Sequence, residues 1–167
     1  MITFNSMPPT AELKTTSIAT PIGEVFLVGS GRTLVRVVLP GTEVDFVKDK
    51  TARDDEALDP AARELQEYFA GERRQFSLEL APGGTRFQRE VWRALLAIPY
   101  AGTVTYGEIA SRIGNPKASR AVGMANNRNP LPIVIPCHRV IGANGTLVGY
   151  AGGLTQKQAL LDLEAKS

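Results

Sequence analysis

The sharpest constraint on how this chain folds is a change of apolar rhythm at Pro82-Gly83-Gly84. Before that break, apolar residues alternate with polar ones or run in short blocks between turn residues, which is the pattern of strands. After it they recur every three to four residues, the pattern of helices. A Pro-Gly-Gly tripeptide interrupts either kind of regular structure. Residues 1–84 are therefore expected to form a small α+β scaffold domain, and residues 85–167 a second, mainly helical domain.

Residues 1–13 contain two prolines and no periodicity, so they read as a lead-in. Ser17-Ile18-Ala19, Val25-Phe26-Leu27-Val28 and Leu34-Val35-Arg36-Val37-Val38 are strand-like. Pro21-Ile22-Gly23 and Gly29-Ser30-Gly31 supply turns between them, so the three predict a β-meander. Residues 43–56 are charged and suit a short helix or a loop. Asp59-Pro60 offers an N-cap followed by proline at the first helical position. Leu65, Tyr68 and Phe69 then mark an apolar helix face, which Gly71 ends. Phe76-Ser77-Leu78-Glu79-Leu80 alternates as a further strand. Residues 1–81 contain no constellation suited to catalysis.

Beyond the break, three stretches have the Ser/Thr-x-x-Glu/Gln form of a capping box: Thr85…Gln88, Thr105…Glu108 and Thr155…Gln158. After the first, Phe87, Val91, Leu95 and Ile98 form an apolar stripe widened by Trp92 and Leu96. After the second, Ile109, Ala110 and Ile113 point inward until Gly114. Asn115-Pro116 is then expected to open a third helix at once, with Ala118, Ala121, Val122 and Ala125 inward and Lys117, Ser119 and Arg120 outward. Two short helices joined by a tight Gly-Asn-Pro turn form a helix-turn-helix pattern, with Arg120 projecting from the second. Leu131-Pro132-Ile133-Val134-Ile135 reads as a short buried strand. Arg139 to Gly142 continues it, Asn144-Gly145 signals a hairpin turn, and Thr146 to Tyr150 is the return strand, giving a wing-like arrangement. The last helix buries Leu160, Leu161 and Leu163 and carries Glu164.

Charge divides the chain at the same place. Residues 1–84 carry nine Lys/Arg against thirteen Asp/Glu; residues 85–167 carry ten against four, a net of +6 within a whole-chain net of +2. A basic second half suggests a polyanion as its partner. The chain has one cysteine and one histidine, which excludes an internal disulfide, a resolving thiol and a Cys/His zinc site, and no ligand spacing suggests another metal or a cofactor. No apolar run is long enough to span a membrane, and no signal-peptide pattern opens the chain. With a free thiol, this predicts a reducing, cytoplasmic location.

The single cysteine and the single histidine are neighbours, in Ile135-Pro136-Cys137-His138-Arg139. A lone cysteine is most often a small buried hydrophobe. Here the strongest nucleophile among side chains lies beside the best neutral-pH base, after a proline that narrows the backbone geometry. A thiol attacks as its thiolate, so a neighbouring base or cation is the expected activator.

Pro136-Cys137-His138-Arg139-Val140 resembles the active-site signature of the O6-alkylguanine-DNA alkyltransferases, the methylated-DNA–protein-cysteine methyltransferases. Thr105-Tyr106-Gly107-Glu108-Ile109-Ala110, Ser119-Arg120-Ala121-Val122-Gly123, Asn129-Pro130, Gly149-Tyr150-Ala151-Gly152-Gly153-Leu154 and Leu160-Leu161-Asp162-Leu163-Glu164 fit in order and spacing. The resemblance is strong over about residues 85–165; the first half is similar in size and layout only. It implies a direct-reversal DNA repair protein that turns an O6-alkylguanine out of the duplex, with O4-alkylthymine as an open second substrate. The alkyl group would move irreversibly to Cys137, with His138 as base through a bound water and Glu164 orienting the imidazole. Tyr106 would donate to the leaving base. The resemblance places DNA contacts at Thr105, Tyr106, Asn115, Lys117, Ala118, Ser119 and Arg120, with Arg120 filling the gap left by the extruded base. It places the guanine pocket at Asn129, Pro132, Val140, Tyr150, Ala151 and Gly152. It implies no cofactor, and a monomer in solution with cooperative binding on DNA left open. A thioether product cannot be resolved by a second thiol, so each molecule would act once.

Three other classes stay in view, one of them a plain DNA-binding regulator, which the Cys137–His138 pair opposes because no structural role calls for it there. A non-reacting lesion binder keeps such a fold but lacks the cysteine. A thiol hydrolase built on Cys, His and Glu would turn over repeatedly and need no DNA. The presence of Cys137 opposes the lesion binder, and the basic helix-turn-helix half opposes the hydrolase.

Overall fold

The computed structural model describes residues 3–42, 51–150 and 152–167. The chain divides into two compact units, Met1–Gly83 and Gly84–Ser167. The fold is α+β: the described residues of the first unit form a sheet packed with an α-helix, and the second unit is mainly helical.

In the first unit β1 (Lys14–Thr20), β2 (Gly23–Ser30) and β3 (Thr33–Val38) form the meander, antiparallel throughout, with Ile18 opposite Val25 and Phe26 opposite Val38. Two short strands extend it in parallel at either edge, β4 (Ala52–Arg53) beside β1 and β5 (Glu79–Leu80) beside β3. Of the predicted strand Phe76-Ser77-Leu78-Glu79-Leu80, only the last two residues pair. Of the charged stretch 43–56, residues 43–50 lie outside the described residues. The register shifts between Val28 and Gly29, where a Cβ on Gly29 would come within 2.2 Å of the Thr33 carbonyl oxygen. The bulge therefore sits on a residue without a side chain.

Strand alternation sends Val25 and Leu27 to one face and Phe26 and Val28 to the other. Phe26 and Val28 join Val35, Val38 and Ala81 in an apolar cluster closed by Leu13. Helix α1 (Asp59–Phe69) packs on β1 and buries Ala61, Leu65, Tyr68 and Phe69. Leu58, not Asp59, is its N-cap; Asp59 lies in the first turn and pairs with Arg63 at 2.6 Å instead. Glu64 on the inner face accepts from the backbone and hydroxyl of Ser77, which ties the 72–77 turn to the helix.

The second unit opens with α2 (Arg86–Leu96), whose capping box between Thr85 and Gln88 is fully formed. Val91, Trp92 and Leu95 are buried, and the Trp92 indole N–H donates to the Ala125 carbonyl at 2.9 Å. Gly84, at φ +82, lets the Trp92 ring close over the chain: a Cβ there would meet the ring at 2.6 Å. Strand β6 (Val104–Thr105) leads into α3 (Tyr106–Arg112), capped by Thr105 and Glu108 as the sequence predicts.

The next helix, α4 (Ser119–Asn127), begins later than Asn115-Pro116 suggests. Gly114 N–H bonds to Ser111 O at 3.0 Å and Asn115 N–H to Ala110 O at 2.9 Å. Those two bonds form a Schellman motif, so Gly-Asn finishes α3 rather than starting α4. Val122, Ala125 and Asn126 face inward on α4, whereas Ala121 is exposed, against expectation.

Two predicted strands are absent. Residues 131–135 form a buried turn containing one isolated bridge, Pro132 to Ile135. Asn144-Gly145 does make a turn, closed by Gly142 N–H to Thr146 O at 2.8 Å, but residues 146–150 form no return strand. Instead β7 (Val140–Ile141) pairs in parallel with β6. The last helix, α5 (Leu154–Lys166), starts from Gly153 without a side-chain cap, so Thr155…Gln158 is not a capping box; Gln158 donates to Asp162 at 2.8 Å. Its inward face carries Lys157, Leu160 and Glu164, while Leu161 and Leu163 are half-buried.

Candidate active site

Cys137 begins a 3-10 turn, Cys137–Arg139, and three local devices place it. Pro136, at φ −81 and ψ 66, is the centre of an inverse γ-turn closed by Cys137 N–H to Ile135 O at 2.8 Å. The Asn129 side chain staples the loop from inside: its Nδ2 donates to Ile135 O at 2.8 Å and its Oδ1 accepts from Leu131 N–H at 2.9 Å. From α4, buried Asn126 directs Nδ2 at the Cys137 carbonyl, 3.4 Å away. Between these contacts Ile133 sits at φ 77. A β-branched residue there costs on the order of 1–3 kcal/mol and persists only where its surroundings over-determine it.

Folding brings together a cluster that sequence distance hides. His138 is fully buried, and its Nε2 lies 2.6 Å from Glu164 Oε2. A carboxylate accepts only, so Nε2 carries the proton and Nδ1 the lone pair. Nδ1 is buried and has no partner among the described residues. Arg139 donates from Nε to Glu164 Oε1 at 2.8 Å, from one terminal nitrogen to Oε2 at 3.0 Å, and from the other to Ile98 O at 2.8 Å. Its guanidinium lies over the Tyr100 ring, 5.6 Å from the centroid. Ala101 N–H also donates to Glu164 Oε1 at 3.1 Å.

The other charged group on the inner face of α5 is Lys157. Its Nζ donates to Val140 O at 2.6 Å and Val148 O at 2.9 Å. The Tyr106 hydroxyl donates to the same Val148 carbonyl at 3.0 Å. The residues expected to line a guanine pocket divide in burial: Asn129, Pro132 and Val140 are buried, Tyr150 and Gly152 half-buried, and Ala151 lies outside the described residues. Of the expected DNA contacts, Asn115, Lys117 and Arg120 are exposed on and before α4. Ala118 and Ser119 are half-buried there, and Thr105 and Tyr106 are half-buried at the head of α3. No group of three or more His, Cys, Asp or Glu side chains among the described residues is placed to hold a metal ion.

Burial dominates the electrostatics. It pushes the Cys137 thiol up to about 11, against the Asn129 side chain and the Lys157 cation, which pull it down. Burial also holds His138 below the ordinary imidazole range, although Glu164 pulls it upward. Tyr106 is raised by burial and then by Cys137. At neutral pH the resting pair is thus a thiol and a neutral imidazole, so any attack by this sulfur would first require the thiol to lose its proton.

Sequence reasoning gave Arg139, Lys157 and Asn126 no role. A usable signal existed for Lys157: with Leu160 and Glu164 it falls on one helical face at i, i+3 and i+7. Two charges on that face read more naturally as solvent-facing ends of an apolar stripe.

A buried thiol beside a neutral imidazole, in one unit with a helix-turn-helix pair, is the arrangement that a cysteine-centred enzyme acting on DNA requires. Residues 86–166 match the DNA binding domain of 6-O-methylguanine DNA methyltransferase, and residues 13–82 match the ribonuclease-like domain of the same protein. The chain belongs to the 6-O-methylguanine DNA methyltransferase family, and its activity is transfer of an alkyl group from DNA to a cysteine of the protein. A methylated-DNA–protein-cysteine methyltransferase of Methanosarcina acetivorans is 55% identical over 145 residues, 86% of this chain and 93% of that protein. A Mycobacterium leprae protein of the same name is 47% identical over 148 residues, 89% of this chain and 90% of its own length. The crystal structure of the Mycobacterium tuberculosis OGT in complex with DNA is similar at a TM-score of 0.85 and 47% identity, covering 92% of this chain and 93% of that one.

Proposed function

We propose that Cys137 is the alkyl acceptor, that His138 removes its proton, and that the partner is double-stranded DNA carrying O6-alkylguanine. The observation that carries this is the His138–Glu164 pair: it leaves a buried imidazole lone pair on Nδ1, next in sequence to the only thiol. The base has to leave the stack to meet a buried sulfur. Nδ1 then takes the S–H proton through a bridging water. Sulfur attacks the alkyl carbon as the carbon–O6 bond breaks, and the electron pair of that bond stays with the guanine. Tyr106 donates a hydrogen bond to the leaving base, exchanging its Val148 acceptor for the nucleobase. The leaving base takes the Tyr106 hydroxyl proton, and the imidazolium of His138 returns the thiol's proton to the tyrosinate through water, so that, net, the alkyl group replaces the thiol proton and the guanine gains it.

Asn129, Pro132, Val140, Tyr150, Ala151 and Gly152 form the guanine pocket. Thr105, Tyr106, Asn115, Lys117, Ala118, Ser119 and Arg120 face the DNA, and residues 1–84 serve as scaffold. The whole cluster belongs to one chain, so a monomer suffices. A lone thiol that must stay reduced suits the cytoplasm.

The test is intact-protein mass after incubation with duplex DNA containing O6-methylguanine, followed by peptide mapping. The expected result is one added CH2 unit per chain, confined to the Cys137 peptide, with repair that stops at one lesion per molecule. Tight lesion binding without a mass gain would leave a non-reacting binder; repeated turnover without modification would leave a thiol hydrolase.

A second experiment addresses extrusion. Arg120 is exposed at the start of α4, where it can occupy the space of the displaced base. Compensation for lost stacking is worth a few kcal/mol, and about 1.4 kcal/mol is a tenfold change in rate. Arg120→Ala is expected to slow repair of duplex DNA by about 100-fold while changing reaction with free O6-alkylguanine base by less than about threefold. Equal losses on both substrates would remove Arg120 from extrusion.

A further inference from the structure

We infer that Arg139 is a positioning residue for the transfer reaction: by clamping both oxygens of Glu164 it fixes which nitrogen of His138 carries the proton and keeps that imidazole neutral. The inference rests on the assignment of His138 as the base and concerns how that base is held ready.

The carboxylate of Glu164 accepts at least four hydrogen bonds from the described residues. Oε1 takes Ala101 N–H at 3.1 Å and Arg139 Nε–H at 2.8 Å; Oε2 takes Arg139 at 3.0 Å and His138 Nε2 at 2.6 Å. A carboxylate has about four lone-pair directions, so all are used. Two of the four come from one planar guanidinium, whose fork sets the plane of the carboxylate as a single contact could not. The guanidinium is itself anchored at the Ile98 carbonyl and over the Tyr100 ring. Glu164 therefore cannot rotate, and Oε2 stays aimed at Nε2.

The cation has a second effect. A buried imidazole paired with a lone carboxylate is drawn toward the charged form, which would place a proton on Nδ1 and spoil it as a base. Arg139 opposes that pull. The groups acting on His138 are Glu164, which raises its proton affinity, and burial, Arg139 and Lys157, which lower it. Glu164 and Lys157 lie on α5, and Arg139 is on the turn of His138 itself. The thiol of Cys137 is the remaining titratable neighbour on that turn.

The only histidine in the chain gives a direct readout. Protein labelled with 15N-histidine shows one pair of ring nitrogens, and their shifts report tautomer and titration. In the wild type, Nε2 is expected to carry the proton across the neutral range, and the transfer rate to fall as pH drops through the His138 pKa. Arg139→Met removes the cation: the histidine should titrate about one pH unit higher, and the acidic limb of the rate should move with it. Arg139→Lys keeps a cation but loses the fork: the tautomer should become mixed and the rate about tenfold lower, with a smaller shift of the limb. A role confined to stability predicts a lower melting temperature with tautomer, titration and rate per folded molecule unchanged; that outcome in Arg139→Lys overturns the inference, even if Arg139→Met fails to fold. The two assignments fail separately. Absence of a thioether in the wild type removes the alkyl-transfer role, whereas an unmoved histidine spectrum in a folded variant removes the role of Arg139.

Discussion

Cys137→Ser is expected to fold as the parent does, to bind lesion-containing duplex with an affinity within about threefold, and to lose alkyl transfer by more than about 10³-fold. The substitution changes one buried atom, so the packing cost is small. The chemical cost is large for two reasons. The buried thiol is already hard to ionise, pushed up to about 11, and an alcohol in the same place is harder still. Oxygen is also the poorer nucleophile toward saturated carbon. Binding should survive because the exposed candidates for DNA contact, Asn115, Lys117 and Arg120, are not touched. Intact mass and fluorescence anisotropy on the same sample separate the two properties. A serine variant that still gains the alkyl group would show that another atom accepts it.

Glu164→Gln should be the most damaging conservative change in the second unit. The Glu164 carboxylate accepts from Ala101, His138 and, twice, Arg139. An amide offers one accepting oxygen and puts an NH2 group where the other oxygen was, so at least two N–H groups face another donor. Arg139, 6% exposed, is left as a buried cation without its counter-charge. Breaking a buried ion pair from one side costs about 3–5 kcal/mol, which for a domain of this size lowers the melting temperature by on the order of 10 °C or more. His138 loses the acceptor that fixes its tautomer, so transfer by the fraction still folded should fall by about 100-fold. Calorimetry and single-turnover rates below the melting temperature test both parts. Near-normal stability would mean that water had replaced the lost acceptor and that the cluster is wetter than its burial indicates.

What the sequence made legible follows the range of each signal. The meander at 14–38 and the caps at Thr85 and Thr105 depend on residues within a few positions of one another, and all of them form. The misreadings share a cause. A run such as Leu131-Pro132-Ile133-Val134-Ile135 is apolar enough to be buried in any conformation, and burial alone does not distinguish a strand from a turn. The choice is made by the Asn129 side chain, which occupies the backbone groups a strand would have offered to a neighbour. Asn144-Gly145 closes its turn, but the partner of β7 is β6, far upstream, so no hairpin follows. The resemblance to a family pointed to Cys137, His138 and Glu164, and the fold brings His138 and Glu164 into contact. Arg139 and Lys157 were not legible, because an unpaired charge in a sequence reads as surface. Their partners, Glu164 and the carbonyls of Val140 and Val148, are supplied only by the fold.

The two-rung ladder between β6 and β7 has a mechanical consequence. Val104 pairs with Val140 and Thr105 with Ile141, and Thr105 is also the residue that caps α3. The start of the helix pair proposed to face DNA and the strand that leaves Cys137 are thus pinned to each other by main-chain bonds. If probe and blade share one frame in this way, the displacement needed for reaction is expected to fall on the nucleic acid. Differences in repair rate between sequence contexts would then chart how readily each stretch of duplex unstacks, and the protein would serve as a fixed gauge against which DNA deformability is measured.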